Sequence, residues 1–175
     1  MQIDVEIKDK KVQRLFTRLQ RNVKDLRPAF RAIGEIVRSS VIRNFQEGGR
    51  PEKWEPTRIR SIYQAYTRKK TKSGANRKAY TIRGRLTKAF DRYSSGRKTL
   101  IDTARLQNSI TARAETNRVV VGTDLVYARI HQLGGMAGRN RKVKIPARPY
   151  LLVQDEDWAP IGQCLRGFLM KGAQE

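Results

Sequence analysis

Tyr127-Ala128-Arg129-Ile130-His131-Gln132-Leu133-Gly134-Gly135, followed after a basic loop by Ile145-Pro146-Ala147-Arg148-Pro149-Tyr150, decides the fold. Tyr127, Ile130 and His131 stand at i, i+3 and i+4, so they share one face of a short helix. Gly134 and Gly135 end it, because glycine takes the left-handed conformation that closes a helix. Arg139 to Lys142 forms the basic loop. Val143 and Ile145 alternate with Lys142 and Lys144, which predicts a strand with one wet face. Pro146 and Pro149 remove two amide donors, as suits a strand end or an edge.

On the C-terminal side, Leu151 to Val153 reads as the end of a third strand region. Asp155-Glu156-Asp157-Trp158 then opens a helix, its acids placed where the helix dipole favours them. Ile161, Leu165, Phe168 and Leu169 form its apolar face, and Cys164 beside them reads as a small core residue. On the N-terminal side, Ser109 to Glu115 and Arg118 to Thr123 read as two strands. The turn Glu115-Thr116-Asn117-Arg118 joins them, with Asn117 suited to its backbone. The β-branched run Val119-Val120-Val121 predicts a central strand. Thr103 to Ser109 reads as a short helix or turn anchored by Leu106.

At the start of the chain, Ile3, Val5 and Ile7 alternate with polar residues over Gln2 to Lys8, as in a half-buried strand. Asp9 is placed to cap the helix that follows. That helix carries an apolar stripe of Val12, Leu15, Phe16, Leu19, Val23 and Leu26. Pro28 opens a second helix, predicted to run to Phe45 or Gln46, with Phe30, Ile33, Val37, Val41 and Phe45 as its stripe. Gly48 and Gly49 end it. No internal repeat is apparent. The prediction is an α+β fold over one domain, residues 1–175: an N-terminal strand and two helices, an antiparallel sheet, and a C-terminal helix. A long basic arm, residues 59–98, is inserted in it.

The charge is extreme: 38 Lys and Arg against 16 Asp and Glu, net +22. Such a chain repels itself and seeks polyanions, so nucleic acid or an acidic protein is the expected partner class. A membrane partner is not expected, because no basic helix here carries a long apolar face with aromatic anchors. Arg50 to Lys98 holds sixteen of the cations and only three acids, with Trp54, Tyr63, Tyr66, Tyr80, Phe90 and Tyr93 interleaved. Ile59 to Tyr66 reads as a short helix, and Leu86 to Tyr93 as another ending at Ser94-Ser95-Gly96. Lys69 to Lys78 reads as a mobile loop, too polar to fold alone. The candidate contacts for DNA or for a docking protein are Arg68, Lys69, Lys70, Lys72, Arg77 and Lys78, with Tyr63, Tyr66 and Tyr80. Aromatics among cations suit single strands, but they serve equally as anchors on a neighbouring subunit.

The sequence resembles the phage virion morphogenesis family, the tail-completion or head–tail joining proteins of Mu-like and P2-like phages. Five pieces carry the resemblance, in order. They are Phe45-Gln46-Glu47-Gly48-Gly49-Arg50-Pro51 with Trp54-Glu55-Pro56, Leu100 to Ile110, Val119-Val120-Val121-Gly122-Thr123, and the two stretches quoted first. The family's usual Asp-Thr-Gly is Asp102-Thr103-Ala104 here. The resemblance implies a structural protein of the phage neck or tail terminus, assembled in the host cytoplasm. It implies a ring, most often of six copies, around genomic DNA that it meets without sequence preference. Its implied partners are further copies of itself and neighbouring neck or tail proteins. Trp54, Tyr127, His131, Gly134, Gly135, Pro146, Arg148 and Pro149 fall in the motifs and are expected to be structural. The residues alone leave open a nucleic-acid-binding protein without a ring, or a capsid-assembly factor.

No enzyme is expected. One histidine, His131, and one cysteine, Cys164, exclude a His-rich metal site and any internal disulfide. Gly134-Gly135-Met136-Ala137-Gly138 lacks the Lys-Ser/Thr of a phosphate loop. Asp102 and Asp124 stand apart and read as caps or turn formers. No cofactor is called for. The first residues lack the apolar core of a signal peptide.

Overall fold

The computed structural model describes residues 9–171. The strand expected over Gln2 to Lys8 lies outside them. Among the described residues the fold is mixed helix and strand, as expected, with two two-stranded antiparallel sheets and a C-terminal helix. The chain divides into two compact units. The first comprises residues 1–41, 110–122 and 151–175, and the second residues 42–109 and 123–150.

The first unit opens with helix α1, Lys10–Lys24, which Asp9 caps by accepting a bond from the Lys11 amide at 2.8 Å. Val12, Leu15 and Leu19 of the predicted stripe are half-buried, whereas Phe16 and Val23 stand exposed. Helix α2, Arg27–Glu47, matches its predicted span. Its N-terminal part, to Val41, belongs to this unit, where Ala29, Ile33 and Val41 are buried. Gly34 sits mid-helix, a place where glycine costs about 1 kcal/mol against alanine. It is there because a Cβ would stand 2.9 Å from Val119 and 3.0 Å from Ala112, on the hairpin packed against the helix. Arg38 locks the same approach, its Nε donating to the Ile110 carbonyl at 2.9 Å.

That hairpin is β1, Thr111–Ala114, and β2, Val119–Gly122, paired from Thr111 with Gly122 to Ala114 with Val119. The predicted turn closes it, with the Glu115 amide bonded to the Arg118 carbonyl. The expectation of a central strand for Val119 to Val121 is corrected. β2 pairs only with β1 among the described residues, and Val120 is exposed. Val119 and Val121 instead line a groove with Val37 and Val41, so the run's apolar character serves one face. The strand ending at Leu151 to Val153 is also corrected: these residues make no ladder.

In the same unit the last helix, Asp155–Leu169, begins with a capping box, the Gln154 amide donating to the Asp157 carboxylate at 2.8 Å. Its last carbonyls are taken by α1, where Asn22 donates to the Phe168 and Leu169 oxygens at 3.4 and 3.0 Å. Orphan carbonyls at a helix end need such a donor.

The second unit holds the C-terminal part of α2, then α3 (Ile59–Thr67), α4 (Lys88–Ser95), α5 (Arg105–Asn108) and α6 (Ala128–Leu133); the last helix of the first unit is therefore α7. A second hairpin pairs β3, Gly135–Ala137, with β4, Val143–Ile145. α3, α4, α5, α6 and β4 were legible in the sequence. β3 was not, because a glycine and two weak strand formers hid it.

Candidate assembly surface

The motif residues of the second unit meet in one knot. Phe45 is fully buried, edge-on to Trp54 with ring centroids 5.8 Å apart and tilted against Tyr150 at 5.0 Å. Asn44, also fully buried, donates to the Tyr150 carbonyl at 3.0 Å and accepts from Arg50 Nε at 2.9 Å. Trp54 Nε1 donates to the Pro149 carbonyl at 3.2 Å. The Tyr150 amide donates to Gln132 Oε1 at 2.9 Å, and its hydroxyl to the Ala128 carbonyl at 3.2 Å. Burial raises the Tyr150 pKa, with the nearby Tyr127 adding to it. Every polar group named in this packing finds a partner, as burial requires.

Gly49 and Gly134 make the knot possible. A Cβ on Gly49 would stand 2.5 Å from the Glu52 carbonyl, and one on Gly134 would stand 2.8 Å from the Ala147 nitrogen, both at positive φ. Gly134, rather than Gly135, is therefore the tighter of the two glycines that end α6. Pro146 follows β4 directly, and Pro149 offers its carbonyl inward to Trp54. Trp54 and Arg148 are buried in the same unit, His131 is half-buried, and Tyr127 and Pro149 stay exposed.

Beside the knot lies a cleft of about 420 Å³, lined by Arg148 and His131 and by Leu100 to Ala104 among others. Arg148 is buried, its amide donating to the His131 carbonyl at 2.8 Å and its Nε to the Glu55 carbonyl at 3.0 Å. His131 stands edge-on to Tyr127, and its Nδ1 is buried without a hydrogen-bond partner. Burial first, and the Arg148 charge second, lower the His131 pKa below its ordinary 6.5. Leu100 and Ala104 take left-handed backbones, φ 64° and 56°. Ala104 is the position where the resemblance calls for glycine, so the departure falls where glycine fits best.

The basic segment, residues 59–98, folds onto itself. Tyr66, Ala79 and Phe90 are buried together, with Ile62 and Tyr93 packed on them. Arg77 stacks over Tyr66 and Lys69 over Tyr93. Two expectations are corrected by this packing. Tyr66 is a core residue and is not available as a contact. Lys69 to Lys78 is a formed turn, and it is repeated ten residues on.

In the first turn the Thr71 amide bonds the Ala75 carbonyl and the Gly74 amide the Thr71 carbonyl. In the second, Thr81 bonds Arg85 and Gly84 bonds Thr81, at the same 2.8 and 3.0 Å. Lys70 bridges Asn76 as Tyr80 bridges Leu86. Only Thr, Gly and a Lys-Ala pair recur between the two, too little to show as a repeat in the sequence alone.

The turns carry the cations outward. Arg68, Lys70, Lys72 and Lys78 are exposed, as are Arg83, Arg85 and Lys88, which the sequence reading passed over. Lys69 is drawn inward to Asp102 at 3.5 Å, and Arg77 is half-buried. Tyr63 and Tyr80 remain exposed, with rings 5.8 Å apart, and Ile82 at the second tip is fully exposed. Residues 56–90 contain eleven Lys and Arg and no acid, so nothing within the segment neutralises this face.

No group of His, Cys, Asp or Glu among the described residues could hold a metal ion. No described helix is long and apolar enough to cross a membrane.

The sequence profile of the phage virion morphogenesis family matches residues 7–169. The Mu-like prophage FluMu G protein 2 of Haemophilus influenzae is 32% identical over 160 residues, covering 91% of this chain and 90% of that protein. No solved structure matches.

Two outcomes test this geometry. Ala104→Gly should raise the unfolding free energy by about 0.5–1 kcal/mol, because relief of a left-handed alanine, about 1–2 kcal/mol, outweighs the entropy glycine adds. Urea denaturation measures it. His131 has a folded pKa below its unfolded value, so near pH 6.5 and below the unfolded chain binds a proton that the folded one refuses. Stability from this group is complete above about pH 6.5 and falls as pH drops toward the folded pKa. His131→Gln should flatten the decline in urea midpoint between pH 7.5 and 5.5, and an unchanged decline would assign it to other groups.

Proposed function

Because the chain belongs to the phage virion morphogenesis family, we propose that this particle-building protein completes the tail or joins it to the head. It acts as a ring of identical subunits, most simply six, around the DNA channel at the neck or the head-proximal end of the tail, and it catalyses no reaction. The observation that carries this reading is the pair of acid-free cationic turns displayed from a packed unit. Such a surface suits a polyanionic partner. Further support comes from Leu133, Met136 and Val143 in the same unit, large apolar side chains left exposed around the β3–β4 hairpin. Contiguous apolar surface marks interaction sites, and these three residues lie close in the chain or across the β3–β4 pairing. Further copies of the chain and neighbouring neck or tail proteins are the partners these side chains fit, and DNA in the channel is the partner that suits the turns.

Phage lacking the protein should accumulate heads and tails that do not join, and the purified protein should restore joining when added to both. Finished, infectious particles without it would overturn the reading. Replacing Lys70, Lys72, Lys78, Arg83, Arg85 and Lys88 by Ala should block that restoration. The same variant also identifies the partner of the turns. If they hold DNA, the salt dependence of duplex binding should flatten by about 0.9 in log–log slope for each phosphate the variant no longer neutralises. An unchanged slope with joining blocked would assign the turns to an acidic protein face.

A further inference from the structure

We propose that the cleft of the second unit receives a carboxylate carried on an apolar segment of another protein chain, and that Arg148 holds it. Arg148 is only 7% exposed. Its one hydrogen bond from the guanidinium goes to a backbone carbonyl, that of Glu55, and no carboxylate among the described residues pairs with it. A buried cation without a counter-charge is costly to a fold, and a partner that supplies the charge recovers that cost. The internal acid best placed in the cleft is already engaged: Asp102 is held by Arg97 at 3.2 Å and Lys69 at 3.5 Å. Glu55 lines the cleft and acts on Arg148 through space, without forming an ion pair. Arg58 and Lys144 add two further positive charges to the lining. The orphan Nδ1 of His131 lies beside them.

The walls select among anions. Leu100, Ile101, Leu106, Val143, Ile145 and Pro146 make much of the lining apolar. An aspartate or glutamate flanked by apolar residues fits both the walls and the guanidinium, which grips a carboxylate through two parallel bonds. A nucleic-acid phosphate would leave the walls unused. Leu100 and Ala104, held at positive φ in the same wall, are the kind of strained backbone that gathers at ligand clamps. This receptor does not depend on where in the particle the protein sits, and it is tested apart from joining.

His131 is the only histidine in the chain, so its imidazole signals report on the cleft alone. The full-length protein is titrated with propionate, which is the glutamate side chain in isolation, at constant ionic strength set by chloride. Propionamide and inorganic phosphate are the other arms. Propionate should shift the His131 resonances saturably and raise its pKa, since an anion beside it favours the imidazolium. Propionamide should do neither, and phosphate should act more weakly than propionate. Arg148→Lys keeps the charge but loses the fork, and should weaken propionate binding about tenfold. Should that variant fail to fold, Lys144→Gln, on an exposed residue, should still weaken it two- to threefold, about the change expected for one neighbouring charge. Equal effects of propionate and propionamide would overturn the proposal and leave Arg148 as an anchor for Glu55 alone. Phosphate acting as strongly as propionate would overturn it in favour of a general anion site.

Discussion

The second unit depends on one buried amide, Asn44, wedged between Phe45 and the chain that ends at Tyr150. Its Nδ2 and Oδ1 bind the Tyr150 carbonyl and Arg50, stretches about a hundred residues apart in sequence. Loss of that side chain would leave the buried Tyr150 carbonyl without this donor, at about 1–3 kcal/mol, and would remove the bond to Arg50. Beside Asn44, Phe45 packs against Trp54 and Tyr150. Around this pair the rest is over-determined: Trp54 reaches Pro149, Tyr150 reaches Gln132 and Ala128, and Arg148 reaches His131 and Glu55. Several of these bonds are made to or by backbone groups beside a proline, where the ladder of a sheet cannot form.

The consequence is a division of labour within the chain. Phe45, Trp54 and Tyr150 of the resemblance stretches pack into the knot, others such as Arg148 and Ile145 line the cleft beside it, and the cations of the turns point outward. The basic segment follows the same logic on a smaller scale. Its aromatic residues divide between a small core and an exposed pair, Tyr63 and Tyr80. Tyr66 and Phe90 form a core, Arg77 and Lys69 stack on Tyr66 and Tyr93, and the remaining cations are held outward by two copies of one turn. In a chain of net +22, this most charged segment packs with a single acid of its own, Asp91, while Asp102 beyond it pairs with Lys69 and Arg97.

Long periodic elements were legible in the sequence. α2 followed from its apolar stripe and its closing glycines, and α7 from its acidic first turn. α5 showed through Leu106, and the β1–β2 hairpin through its turn. What was not legible has physical causes. Ser40 and Asn44 are polar residues on a helix, and their burial depends on partners far away in sequence. Val119 to Val121 looks central because β-branched runs mark buried strands, yet a groove on one face absorbs two of the three. Tyr66 could not be told from the exposed Tyr63 and Tyr80 in the sequence, because nothing local shows that Tyr66 and Phe90 meet. Of the site, the motif stretches stood out in the sequence, but that Arg148 is buried and bonded to the Glu55 carbonyl, with Asp102 held by Arg97, depends on contacts between segments far apart in the chain.

Whether the knot is a single cooperative body is tested most directly by native-state hydrogen exchange. The amides to follow are those of Trp54, Arg148 and Tyr150, bonded respectively to Gly48, His131 and Gln132. All three should exchange with one opening free energy, equal to that of the α2 amide of Phe45. Exchange of Arg148 and Tyr150 at a much lower opening energy than Phe45 would contradict a cooperative knot, showing that the last stretch of the unit lies on the helix without being locked to it.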